Sequence, residues 1–264
     1  MLTLSDDWGY GVMTTKISTK DLIRLNELIK IYYGEEINVY VMHGLLVSYL
    51  CSASTDKFVD LLFNETHQEP VFKMINTPTE DINKEFTHLF MNVFYNNTVE
   101  ICNNGKFTYQ LISTDKFNAK FNYRELLPEQ KQHLLDWYMG FFQGFMCIWD
   151  HDLISQYIEY DNPDQEHEII IERFINSLNV QYLAALQLVK ELKPNYANED
   201  FKYTIKKIKS TVKDMSEGEM LPVKFILEHN PQFLQCVSML IDIVMDARHF
   251  TKNKKQAKNV ETVH

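Results

Sequence analysis

Residues 134 to 150, "LLDWYMGFFQGFMCIWD", form an apolar run of the kind a buried helix needs, yet glycines stand at positions 140 and 144. A glycine inside a helix costs about 1 kcal/mol relative to alanine, so a pair requires a compensating gain. Leu134, Tyr138, Phe141, Phe145 and Ile148 recur in steps of four and three, which marks a helix, and Pro128 suits its first turn. Trp137, Gly140, Gly144 and Cys147 share a narrow strip beside that stripe. Gly44, Ser48 and Cys51 form a similar strip on the helix expected for "VYVMHGLLVSYLCSA", which is apolar nearly all round and therefore central. Two strips of small residues let two backbones approach until main-chain contact replaces the missing side chains. A tight crossing of these two helices is the expectation, and a ligand lying against the glycines is its rival.

The rest of the chain reads as helices joined by short breaks. Only 8 glycines and 7 prolines occur in 264 residues, too few for the turns of a many-stranded protein, and 45% hydrophobic content can fill a core. From Thr19, Leu22, Leu25, Ile29 and Tyr32 recur at helical spacing until Gly34, and Asn38 caps the next helix. Residues 56 to 63 read as a short helix. Ile82, Phe86, Leu89, Val93 and Phe94 mark a longer helix that reaches Cys102 before "NNG" ends it. "KFTYQLIS" alternates like a lone extended segment. Asn162 and Pro163 open a helical region, broken near Asn179 and stopped by Pro194. Beyond it, "FKYTIKKIKSTVK" is amphipathic, "SEGE" forms a capping box at Ser216 and Glu219, and Asn230 with Pro231 opens a last helix to about Phe250. The expected fold class is all-α: a bundle-like single domain over 18–193, a helical C-terminal extension over 195–250 packed on it, and a disordered basic tail over 251–264. Residues 1 to 17 are expected to be an irregular lead-in.

Net charge is −10, which argues against non-specific binding to nucleic acid. The charge is unevenly placed. Residues 201–264 hold 11 basic against 7 acidic side chains, whereas residues 1–200 hold 15 against 29. A basic end on an acidic body serves self-association, an acidic partner or plain solubility, and solubility is the default. Lys202, Lys206, Lys209 and Lys213 line one helical face beside Phe201, Ile205, Ile208 and Val212, where a solvated face is the simplest reading and a grip on an acidic partner the sharper one. Cys51, Cys102, Cys147 and Cys236 are far apart in apolar surroundings and read as reduced core thiols. No secretory leader or bilayer-length apolar run is evident, so a cytoplasmic location away from membranes is expected.

Three segments carry a resemblance. "MHGLLVSYLCSA" resembles the His-Gly-Leu-Leu motif of the YgfB/YecA family of bacterial proteins, "FTYQLISTD" is similar to its Phe-x-Phe-x-Leu-Leu-Leu-Pro-Asp segment, and "LLDWYMGFFQGF" to its Trp-Cys-x-Gly-Phe-Leu-x-Gly segment. They occur in the family's order, and the resemblance covers about residues 20 to 150. The chain departs from the pattern at Ser113-Thr114-Asp115, at Tyr138, in an apparent insertion over 116–127, and in lacking the cysteine-rich zinc-binding tail of the YecA branch. The resemblance implies an all-helical fold, a capacity to form a homodimer, no established catalysis, and a non-catalytic interaction or regulatory role with a protein partner still to be named. It also implies a partner-binding groove where the motifs converge, near His43, Phe107, Tyr109, Asp115, Asp136 and Trp137. No cofactor or metal site is expected.

Catalytic alternatives are thin. His43 borders an apolar stripe, where a satisfied core imidazole outweighs a ligand site. His133, His151, Asp152 and Asp246 could be forced onto the His, His-Asp, Asp pattern of helical metal-dependent phosphohydrolases, which is the alternative function carried forward. Glu85 with His88, Asp164 with His167, and Asp246 with His249 have the spacing of ligands on one helical face, but their polar flanks favour solvated surface. No phosphate loop or nucleophile elbow is present.

Overall fold

Ser18 accepts the backbone N–H of Asp21 at 3.1 Å and so starts α1 (Thr19–Tyr33), which Gly34 ends at a φ of 91° that side chains avoid. The computed structural model describes residues 17–51, 58, 62, 71–103, 126–148 and 165–215. Asn38 then caps α2 (Val39–Cys51) by accepting from Tyr40 and Val41, while Asn26 of α1 accepts the N–H of Val39. The N-terminal donors of α2 are thus satisfied where water is scarce.

Farther along the chain, α3 (Glu80–Thr87) runs without a break into a π-helical stretch (His88–Tyr95) and on into α4 (Asn96–Asn103). Phe86, Phe90 and Phe94, spaced by four, are buried, Phe90 stacked on Phe86 and tilted against Phe94, while Val93, expected on the stripe, is only half-buried. Of residues 56 to 63, Phe58 and Leu62 are described, both helical and both buried.

Pro128 is the first residue of α5 (Pro128–Ile148), and residues 134 to 144 are buried on every side. Next, α6 (Gln165–Leu192) runs unbroken through Asn179, which corrects the expected interruption there: neighbouring side chains such as Tyr182 and Phe174 bury enough surface to override one poor helix former. It stops before Pro194, with Lys193 turned to a φ of 47° and donating to Val189. Asn198 caps α7 (Glu199–Met215), whose residues Phe201, Thr204, Ile208 and Val212 face inward. Among the described residues every regular element is helical. The fold is all-α.

The crossing of α2 and α5 is the axis of the molecule. Helices α1 and α4 pack against α2, with the π stretch against α1, while α6 and α7 pack against α5. A Cβ built on Gly44 would lie 2.7 Å from the backbone nitrogen of Phe141 and nearer still to the carbonyl oxygen of Trp137. One on Gly140 would lie 2.7 Å from the carbonyl carbon of Val41. Main chain meets main chain at both glycines, which leaves no space for a ligand between them. Gly144 differs, because its neighbours are the side chains of Leu45 and Ser48.

Candidate functional site

The polar groups that could do chemistry cluster around the start of α2 and the middle of α5. His43 is buried and accepts the indole N–H of Trp137 at Nδ1, 3.1 Å away. That bond places the proton of the neutral ring on Nε2. Burial lowers the imidazole pKa to about 3, so His43 is uncharged at neutral pH.

Immediately before Trp137 on α5, Asp136 is a buried carboxylate with three donors: Asn38 Nδ2 at 2.8 Å, Gln132 Nε2 at 2.7 Å and Tyr196 OH at 3.0 Å. Burial pushes its pKa up, and the three hydrogen bonds pull it back toward the ionised form. Burial also raises the Tyr196 phenol, with the Asp136 charge adding to the effect. His133 stacks on Tyr40 at a ring separation of 4.0 Å, and burial lowers its pKa despite the nearby carboxylates of Asp136 and Glu129.

Glu36, in the α1–α2 connection, extends the cluster. Its carboxylate accepts the backbone N–H groups of Ala197 at 2.6 Å and Asn198 at 2.8 Å, fastening the α6–α7 connection over the same end of the molecule. Sequence reasoning missed this clasp. Asn38 was visible as a helix cap, but nothing local to Glu36 marks a partner 161 positions along the chain.

Of the groove expected from the resemblance, His43, Asp136 and Trp137 lie inside the molecule, at 4%, 8% and 0% exposure. They hold helices together and would touch a partner only through whatever lies above them. Phe107, Tyr109 and Asp115 lie outside the described residues. The proposed hydrolase ligands are likewise split: His133 is described, whereas His151, Asp152 and Asp246 are not. Glu85 takes both Nε and Nη2 of Arg24, at 2.8 and 2.7 Å, and His88 contacts Asn92 at 3.3 Å, so this Glu-x-x-His pair serves surface packing. The side chains of Asp164, His167 and His249 are not described, and neither is the extended segment expected near 106–113. Among the described residues no three His, Cys, Asp or Glu side chains come together as metal ligands.

A cleft of about 470 Å³ opens between the end of α5 and the start of α7, lined by Gln143, Met146, Cys147, Asp200, Tyr203 and Lys207. The buried Thr204 hydroxyl donates to Oε1 of the lining residue Gln143 at 2.5 Å. This corrects the reading of Cys147 as a core thiol: it is exposed, because the last turn of α5 has left the core, whereas Cys51 is buried as expected. No described helix is long and apolar enough to cross a membrane. Comparison with protein-family models, curated proteins and solved structures finds no match to this chain.

Proposed function

We propose that the chain works by binding a protein partner, as a cytoplasmic YgfB-like interaction or regulatory protein, and not by catalysis. The observation that carries this reading is the state of the most chemically capable side chains. His43 is held neutral against Trp137, and Asp136 is occupied by Asn38, Gln132 and Tyr196, so both are committed to joining helices. The family part of the reading is supported by α2 and α5, which contain two of the three resembling segments and meet at glycines within them. Tight packing is then a common reason for those residue choices.

Affinity capture of the tagged full chain from its native host, read by quantitative mass spectrometry, should enrich one protein reproducibly in near-stoichiometric amount. Absence of any such protein overturns the reading. Metal analysis tests the alternative: stoichiometric iron, manganese or zinc, with phosphatase activity lost in His133→Ala and Asp152→Ala, would replace it with a metal-dependent phosphohydrolase.

A further inference from the structure

The positive charge of the C-terminal part is concentrated on one helix. Residues 201–215 carry five lysines and one aspartate, while residues 216–264 balance six basic against six acidic side chains. At about 100° per residue, Lys202, Lys206, Lys209 and Lys213 fall within about 60° of the α7 surface, and all are exposed. They form a rail about 16 Å long. Lys202 is engaged by Glu199 at 2.7 Å. Lys206, Lys207 and Lys209 make no ion pair with any described residue.

A cleft adjoins the rail. Asp200, Tyr203 and Lys207, spaced by three and four, occupy the next sector of α7 and line the cleft of about 470 Å³ together with Gln143, Met146 and Cys147 of α5. Its apolar members are the half-buried Met146 and the ring of Tyr203, which is 59% exposed. Gln143 is held by the Thr204 hydroxyl, so this part of the wall is set before anything binds. The charge of Asp200 is offset by its place in the first turn of α7.

We infer that α7 and this cleft bind an acidic segment of a partner protein, its carboxylates along the lysine rail and one apolar side chain in the cleft beside Met146 and Tyr203. The inference rests on the partner-binding reading above and gives that partner a chemistry. An apolar anchor in a pocket with charges at its rim is a common way for one protein to recognise another. Other polyanions fit less well. A lipid surface would take up the apolar face of α7, but Phe201, Ile208 and Val212 on that face are buried in the fold. A nucleic acid extends beyond the rail and meets a body with 29 acidic against 15 basic residues over 1–200. A segment of about five extended residues lies within the length of the rail, so the lysines attract it while the acidic body steers it away from elsewhere.

Fluorescence anisotropy on the full chain tests this with a labelled short peptide of glutamates carrying one leucine at its centre. Its binding should weaken at least about tenfold between about 0.05 M and 0.3 M salt. A peptide with glycine in place of the leucine should bind about tenfold more weakly, the scale of one buried aliphatic side chain. Lys206→Gln combined with Lys209→Gln should weaken both peptides at least about fivefold, and Lys206→Arg with Lys209→Arg should restore them. Tyr203→Ala should remove the preference for leucine and keep the salt dependence. All three side chains are exposed, and the salt dependence and leucine preference are read on the unsubstituted chain, so a variant that misfolds does not decide the outcome. No binding, equal binding of the two peptides, or binding unchanged without the lysines each overturns the inference. So does retention on phosphatidylserine vesicles, lost in the same lysine variant, when neither peptide binds, which assigns the rail to a lipid surface. A partner captured equally by wild type and by the Lys206→Gln, Lys209→Gln variant overturns this surface and leaves the partner-binding reading standing. Absence of any captured partner overturns that reading instead, whatever the peptides do.

Discussion

Trp137 donates its indole N–H to Nδ1 of His43 across 3.1 Å, joining α5 to α2 where both residues are buried. Burial holds the folded imidazole near a pKa of about 3, against about 6.5 in an unfolded chain. Between those values the unfolded chain takes up a proton that the folded chain refuses. The stability due to neutral His43 is therefore complete above about pH 6.5 and is lost as pH falls toward 3, by at most about 1.4 kcal/mol per unit. His43→Asn places an acceptor oxygen near the position of Nδ1 and cannot titrate. Urea unfolding across this range should show a slope reduced by about one proton in the variant; an unchanged slope refutes the assignment.

The three glycines at the crossing should respond differently to a single methyl group. Gly44→Ala and Gly140→Ala drive a Cβ into the backbone of the facing helix, and each should cost about 3 kcal/mol or more in chemical denaturation. At Gly144 the nearest atom is Leu45 Cδ1, at 2.7 Å, which can rotate away. The gain in helix propensity, about 1 kcal/mol, then offsets the displacement, and Gly144→Ala should stay within about 1 kcal/mol of wild type. Equal effects at all three positions would contradict a backbone-to-backbone crossing.

Glu36 fastens the α6–α7 connection through two backbone donors. Glu36→Ala should cost about 1–2 kcal/mol, with amide exchange accelerated most at Ala197 and Asn198. Uniform acceleration along α7 would show instead that the carboxylate holds the whole helix.

Cys147 and Cys51 should separate in native alkylation followed by peptide mapping, with Cys147 labelled first because it is exposed. Cys147 as a whole is exposed, yet neighbouring protein partly screens its sulfur from water, which with the Asp200 carboxylate raises the thiol pKa, so labelling should keep accelerating with pH beyond the ordinary thiol range. Faster labelling of Cys51 would contradict the packing of α2.

Much of the helical framework was legible because its signals are local. Asn38 precedes Val39 as a cap, Gly34 and Pro194 punctuate helix ends, and the small-residue strips containing Gly44 and Gly140 announce close packing. What escaped depends largely on distant atoms. Phe90, four residues from both Phe86 and Phe94, is buried with them while Val93 is only half-buried, and α6 passes through Asn179 because tertiary burial outweighs propensity. The candidate site was less legible still. His43 could be read as a satisfied core residue, but Asp136 required Tyr196 and Gln132 to be brought beside it, and periodicity says nothing about that meeting.

The Glu36 clasp also imposes an order on synthesis. Its acceptor is synthesised before its donors, Ala197 and Asn198, which follow 161 and 162 residues later. During translation that carboxylate waits in water, and the turn between the first two described helices cannot be locked until those residues have been made. Closure there is a late folding event, made less costly in entropy once the crossing of α2 and α5 has already drawn the chain together within that span.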